Sequence, residues 1–339
     1  MTVVPREPRT TPAVEASASH RVRVGVLTNP VAEHNHRFPF THWRMLEHLG
    51  SEADAVVTAD KTEIASAVRH LLLERGVTVL ALNGGDGTIH GAVNTAASIL
   101  PPGARMPPLL LLNGGTYNMA SRAMGTKGDP VGTLRRFQAR WRDRAVSDLA
   151  VRTVPLLEVR RPGRQPMVGM FFGSETVANA LALCDEMGAG YLGLARLLAK
   201  GAASYVLGTS FFREHSWRLR PTCGHVCVDG TAWGEVSAVV AATVDMKLAR
   251  GMVWALSTSG TQSGFHAKLI RGKGPGDMIH LLPHMLWEVP HHMILSFPEA
   301  ARVETSGRFT LDGELYDHKG PLVVGLSRLR VDLVAGEAL

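Results

Sequence analysis

The stretch Val77-Thr78-Val79-Leu80-Ala81-Leu82-Asn83-Gly84-Gly85-Asp86-Gly87-Thr88 decides how this chain folds. Val77–Leu82 is an apolar run that predicts a buried strand, and glycines follow it at once. Three glycines after a strand let the backbone turn tightly and bring its N–H groups close to an anion. Ile89, Ala92, Val93, Ala96 and Leu100 then recur at helical spacing, so a positive helix N-terminus addresses the same point. Asp86 supplies a carboxylate that makes sense beside bound phosphate with a magnesium ion between them. Thr88 can cap the helix or donate to a phosphate oxygen. A plain strand-to-helix turn capped by Asp86 would need one glycine, and here there are three.

Upstream, Val22–Leu27 reads as a strand ending at Asn29-Pro30, Phe40–Leu49 as a helix and Ala55–Thr58 as a second strand. Asp60 and Glu63 have the spacing of an N-cap and its N3 partner, opening a helix through about Glu74 that Gly76 stops. Downstream, the strand-like Leu109–Leu112 meets a second turn, Asn113-Gly114-Gly115-Thr116-Tyr117-Asn118. Strands alternating with helices predict parallel βαβ units, whose ligands bind at the carboxyl ends of the strands. Both glycine turns fall there. Taken singly, the second turn reads equally well as a helix capped by Thr116; together the two favour a nucleotide cleft.

After about Ala150 the texture changes. Val151–Val159, Met167–Phe172, Val226–Val228, Val236–Val244 and Met293–Phe297 read as strands, with one Ala- and Leu-rich helical interlude around Thr176–Phe212. This half is expected to be an antiparallel β-sandwich with a helical insertion. The expected division is a tail over 1–20, an α/β nucleotide-binding domain over 21–150, the sandwich over 151–320 and a segment, 321–339, returning to the first domain. Near its end, Asp312-Gly313-Glu314 follows the strand-like Arg308–Leu311. Residues two apart on a strand share a face, so both acids can address one site, one as general base and one orienting a metal. From spacing alone, a hairpin turn with solvated acids is the simpler reading.

Taken in order, a strand ending in Asn-Pro, GGDGT, a GTxN turn and a β-rich half closing on DGE resemble the diacylglycerol kinase catalytic family. That family includes bacterial lipid kinases and the sphingosine and ceramide kinases. The resemblance implies an NAD-kinase-like (Rossmann-like) first domain, a β-sandwich second domain, and ATP with Mg2+ in the cleft between them. It implies nucleotide contacts at Asn29, Asn83, Gly84, Gly85, Gly87, Thr88, Gly114, Gly115, Thr116 and Asn118. It implies Asp312 as the general base, with Asp86 and Glu314 beside it holding magnesium. The acceptor would be a lipid hydroxyl of diacylglycerol or ceramide/sphingoid type, met at a membrane surface by a cytoplasmic, transiently peripheral protein. The chain departs from the family at Val31-Ala32-Glu33-His34, where Ser-Gly is usual after Asn-Pro, and at Asn118-Met119, where Asn-Asp is usual. His34, Asn35, His36 and Arg37 could substitute as donors. The alternatives are a kinase of a soluble acceptor such as NAD, and a nucleotide or lipid sensor without catalysis.

Composition bounds the rest. A chain of 339 residues with 45% hydrophobic residues suits two ordinary domains, and its net charge of +6 suits nucleic acid, anionic headgroups or nucleotide phosphates alike. No nucleic-acid-binding module is recognisable. No apolar run approaches the roughly eighteen residues of a spanning helix. Three cysteines, Cys184, Cys223 and Cys227, argue against a disulfide framework and suit a reducing compartment. Gly188–Gly193 matches GxGxxG but follows a helical pattern, so the dinucleotide reading is set aside. Cys223, His225 and Cys227 lack a fourth metal ligand, and His280 and His284 flank Pro283, which disfavours a regular helix. Leu134, Phe137 and Trp141 among Arg135, Arg136, Arg140, Arg142 and Arg144 predict an amphipathic helix packed on the domain, with a membrane-facing basic surface as the alternative. Leu192, Leu194, Leu197 and Leu198, with Tyr191, fit an acyl-chain groove or a core equally.

Overall fold

The structure, a computed structural model, describes residues 21–49, 54–60, 62–101, 104–115, 118–188, 190–215, 225–248, 253–256, 264–272, 277, 280, 281, 284 and 289–339. The first half runs β1 (Val24–Thr28), α1 (Glu33–Arg37), α2 (Thr41–Leu49), β2 (Asp54–Val57), α3 (Glu63–Arg69), β3 (Val79–Gly84), α4 (Asp86–Ile99), β4 (Leu109–Asn113), α5 (Met119–Ala123) and α6 (Pro130–Trp141). Next come β5 (Val151–Arg160), β6 (Met167–Gly169), β7 (Phe171–Ser174), α7 (Thr176–Glu186), α8 (Gly190–Leu207) and α9 (Phe211–His215). Then follow β8 (His225–Val228), β9 (Thr231–Glu235), β10 (Ala238–Ala242), β11 (Met246–Leu248), β12 (Val253–Leu256) and β13 (Phe265–Ile270). The chain closes with β14 (Ile294–Ala300), β15 (Arg302–Ser306), β16 (Phe309–Leu311), β17 (Glu314–Tyr316) and β18 (Pro321–Val334).

β2, β1, β3 and β4 lie side by side in parallel, and every residue of β3 is buried. Side-chain alternation divides them between two layers. Leu80 and Leu82 pack with Ile64, Val68, Ile89 and Val93 of α3 and α4, whereas Val79 and Ala81 pack with Met45 of α2 and Leu134, Phe137 and Trp141 of α6. The Arg-rich helix is therefore α6, its apolar stripe in the core, with Arg140 and Arg144 lying over the Trp141 ring. Asp60 closes the start of α3 near where the spacing predicts: its carboxylate accepts from Thr62 N and Glu63 N, but α3 begins at Glu63 itself, which reaches back to Ala59 N rather than to Asp60 N. α3 then widens into a π-turn over His70–Glu74 before Gly76 at φ +61.

The second half is antiparallel. A sheet in the order β14-β13-β10-β7-β16-β17 faces β5, β18, β15 and β8 across a core that includes Phe172, Val239, Phe265, Phe309, Val303 and Val324. The helical insertion is α7, α8 and α9. Gly190 opens α8, and Gly193 lets that helix approach the backbone of Cys184 closely, so these glycines serve helix packing. The sheets of the two halves are not separate. β18 pairs antiparallel with β5 and β15 and, at Leu333, parallel with Leu109 of β4. One sheet thus runs from the α/β layer into the sandwich.

Candidate active site

The parallel strands end in register. Thr28 of β1 lies beside Asn83 of β3, and Gly84 beside Asn113 of β4. Each strand delivers an asparagine to this edge. Asn29 N donates to Asn83 O at 2.9 Å, and Asn29 Nδ2 donates to Thr88 Oγ1 at 2.9 Å. Asn35 Nδ2 bridges Asn29 O at 2.8 Å and Asn83 O at 3.1 Å. Asn83 is fully buried, and its Nδ2 reaches Thr28 Oγ1 at 3.4 Å. The side chains of Asn29, Asn83 and Thr88 thus bind the strand ends to one another. Burial directs their amide donors to neighbouring strand ends, while Asn83 Oδ1 and Asn35 Oδ1 are enclosed without a hydrogen-bond partner.

The glycines are also explained by packing. A Cβ on Gly84 would strike the Thr88 side chain, one on Gly115 would fall on the Gly85 backbone, and one on Gly114 would lie 2.5 Å from Asn83 Oδ1. The two turns are pressed against each other, with no room for side chains between them. Gly85 is extended, at φ −90 and ψ −174, and directs the chain into α4. In the second turn Asn118 stands at φ 50, where asparagine is tolerated because its side chain bonds locally. Its Oδ1 accepts from Gly115 N at 3.0 Å and its Nδ2 donates to Gly115 O at 2.8 Å. Thr116 lies outside the described residues.

Beside this turn opens a cleft of about 680 Å³, lined by Gly115, Asn118, Arg37, Arg122, Lys127 and the exposed Phe38, among others. That volume is within the range of small-molecule sites. After Asn29-Pro30, Val31-Ala32-Glu33-His34 runs into the short helix α1. His34 N donates to Gly114 O at 3.1 Å, and His34 and Arg37 reach the cleft, while Asn35 is committed to the scaffold. Burial lowers the His34 pKa, so positive charge in the cleft comes mainly from Arg37, Arg122 and Lys127. Arg122 and Lys127 escaped the sequence reading because single basic residues in a loop and a short helix carry no pattern.

The acids arrive from the far end of the chain. Asp312 and Gly313, at φ 52 and 86, form a two-residue turn joining β16 to β17 in the manner of a type I′ hairpin. The hairpin is real, but its acids are not solvated, and Asp312 is in the turn rather than on a strand. Asp312 Oδ1 accepts from Met170 N at 2.8 Å and Phe171 N at 2.9 Å. Asp312 Oδ2 faces His90 Nδ1 at 3.1 Å, and His90 Nε2 meets Tyr316 Oη at 2.9 Å. Glu314 projects onto the first turn of α4, where its Oε1 fills the place of a side chain on Gly87.

Asp86 completes the group. Its Oδ1 accepts from Ala120 N at 3.4 Å, at the start of α5. Asp86 keeps part of its surface, yet protein encloses the carboxyl closely enough that desolvation pushes its pKa up to about 6, with the charge of Asp312 adding to the rise. Met119, where the family has an acid, lines a small apolar pocket with Asp86, Ile89, Met170 and Asp312. His90 and Asn94 were also missed. They form a polar stripe with Asp86 at i, i+4, i+8 on an otherwise apolar helix, and that stripe was the available signal. Among the described residues, no group of three or more His, Cys, Asp and Glu side chains could by itself hold a metal. Cys223 and Pro283 lie outside the described residues, as do the side chains of Tyr191, Leu192 and Leu194. No helix among the described residues is long and apolar enough to cross a membrane.

Residues 23–147 match the family model for the diacylglycerol kinase catalytic domain, the family that the motifs resemble. No curated protein matches the chain. Among solved structures, the fold is similar to one provisionally described as a diacylglycerol kinase from Bacillus anthracis str. Sterne, at 15% identity and a TM-score of 0.64, covering 92% of this chain and 96% of that one. A second structure with the same provisional description and organism aligns at 15% identity and a TM-score of 0.65, covering 93% and 98%. The architecture of an α/β domain joined to an antiparallel β domain is thus shared over nearly the whole length of both chains.

Proposed function

We propose that this chain is an ATP-dependent lipid kinase that transfers the γ-phosphoryl group of MgATP to a lipid hydroxyl, with Asp312 as general base. The observation that supports it most is the meeting on one helix, α4, of the glycine turn of the kinase-family domain and the two acids of the distant hairpin. The basic cleft beside the second turn suits the nucleotide, with Arg37, Arg122 and Lys127 countering triphosphate charge and Phe38 offering an aromatic face. The N-terminus of α4 adds backbone donors and the favourable end of its dipole.

Magnesium fits the donor set. Asp86 and Glu314 are two carboxyls at the first turn of α4, and this ion commonly takes one or two protein carboxylates and fills its remaining positions with phosphate oxygens and water. Bound there, the ion would neutralise phosphate charge and favour ionised Asp86. Asp312 engages three donors, so about one of the four acceptor directions of its carboxylate remains for an incoming hydroxyl. As the lipid oxygen attacks the γ-phosphorus in line, the bond to the bridging β-phosphate oxygen breaks, ADP leaves, and the hydroxyl proton passes to Asp312. Positioning and electrostatics supply most of the acceleration in reactions of this kind.

The test is incubation of the protein with labelled MgATP and mixed micelles containing diacylglycerol, ceramide, a sphingoid base or monoacylglycerol, separately, with NAD and no micelle as a further arm. Label in one lipid, lost in Asp312→Ala, supports the reading and names the acceptor. Label in NAD alone would replace it with a soluble-acceptor kinase. MgATP binding with no transfer in any arm would favour a sensor.

A further inference from the structure

We propose that His90 is a positioning residue for Asp312: its imidazole, held from behind by Tyr316, aims the carboxylate at the acceptor hydroxyl. The inference rests on the lipid-kinase reading and deepens it.

His90 lies one turn beyond Asp86 on α4 and is buried, its side chain 7% exposed against 13% for Asp312. An ionised carboxylate only accepts hydrogen bonds, so Nδ1 at 3.1 Å from Asp312 Oδ2 must carry the proton. In the neutral ring Nε2 is then the acceptor, and it faces Tyr316 Oη at 2.9 Å. Tyr316 is suited to donate. Its phenol carries one O–H, which can be given to a ring nitrogen. Its ring stacks on Phe309 at 5.1 Å, under Arg161 at 5.8 Å, and cannot turn freely. The chain of bonds Tyr316 to His90 to Asp312 therefore assigns one tautomer and one ring orientation.

The device has a reason in the fold. Asp312 sits on a hairpin whose second strand, β17, is the last in its sheet; Met170 N and Phe171 N hold its Oδ1, and His90 is the donor that holds its Oδ2. α4 is itself anchored to the second half, because Asn94 exchanges two hydrogen bonds with Val168, at 2.8 and 2.9 Å. The helix that begins at the glycine turn thus also sets the base, so nucleotide and base share one rigid reference. The imidazole takes no proton in the transfer step; it directs the lone pair that does.

Two measurements on the full chain test this. In the kinase assay, His90→Leu should lower kcat roughly 10- to 100-fold while leaving KM for MgATP within about twofold. His90→Asn, whose amide can still donate to Asp312, should recover most of the loss, and Tyr316→Phe should fall between. In nitrogen NMR of histidine-labelled protein, the signals lost in His90→Asn should show a protonated Nδ1 and a bare Nε2, and Tyr316→Phe should shift them. Wild-type kcat in His90→Leu, or a protonated Nε2 in the native protein, overturns the proposal. If native protein labels no acceptor, the kinase reading fails separately, and the tautomer still decides whether His90 is paired as stated. If His90→Leu does not fold, the Asn and Phe variants and the spectrum carry the test.

Discussion

Glu314 Oε1 occupies the place where a side chain on Gly87 would begin. A glycine quoted for its backbone freedom is needed here because an acid from the other half of the chain rests on it. Gly87→Ala should therefore keep the fold, since the colliding atom is the end of a flexible side chain, and should displace Glu314. The expected result is a melting temperature within a few degrees of the native one, with turnover lowered roughly tenfold or more and a higher magnesium requirement. An unchanged magnesium dependence would remove Glu314 from the metal site.

Gly115→Ala should behave in the opposite way. Its Cβ would fall on the backbone of Gly85, and two strand-end turns cannot separate without breaking the bonds at the edge of β3 and β4. A loss of roughly 2–4 kcal/mol is expected, read from denaturant midpoints, with activity falling in step with folded protein.

Asp312→Asn keeps the shape of the side chain and removes its basicity. Turnover should fall by roughly 10²- to 10⁴-fold while MgATP affinity changes little. Retained turnover would disqualify Asp312 as the base and turn attention to Asp86.

The raised pKa of Asp86 makes a prediction about stability. Its folded value, about 6, lies above the ordinary 3.8 of an aspartate, so the folded state holds the proton more tightly than the unfolded chain. The ionised group then costs stability above about pH 6, and the cost fades as pH falls toward 3.8. Asp86→Asn should accordingly stabilise the ligand-free protein at pH 8, by at most roughly 3 kcal/mol, with the advantage vanishing near pH 4. Urea titrations of both proteins across that range would show it. An advantage independent of pH would mean that the carboxyl is not desolvated as described.

Arg122→Ala and Lys127→Ala should each weaken MgATP binding roughly 3- to 10-fold, less at high salt, because both face the cleft from exposed positions. Calorimetry at two ionic strengths distinguishes this from a general loss of structure.

Much of the scaffold was readable in advance, because local chemistry determines it. The apolar run before Asn83, the glycines after it and the Asp60–Glu63 cap specify a buried parallel strand, a turn and a helix start with no help from distant residues. Asp312-Gly313 likewise specifies its own hairpin. The resemblance to the kinase family then joined turns and acids that spacing alone left apart. The spacing of His90 with Asp86 and Asn94 was legible, but its role was not, since its partners lie 222 and 226 positions away. Nor were the bonds that join Asn29 to Asn83 and to Thr88 across the strand ends.

The sequence by itself determined the kind of element at each position and the chemical types available at the turns, because propensity, hydrophobic period and turn chemistry act within a few residues. Only the tertiary structure decided which acids meet which helix, and which polar groups face the cleft and which are spent holding it. Those outcomes depend on β18 joining the two sheets and on burial, which no residue possesses until the whole chain has packed around it.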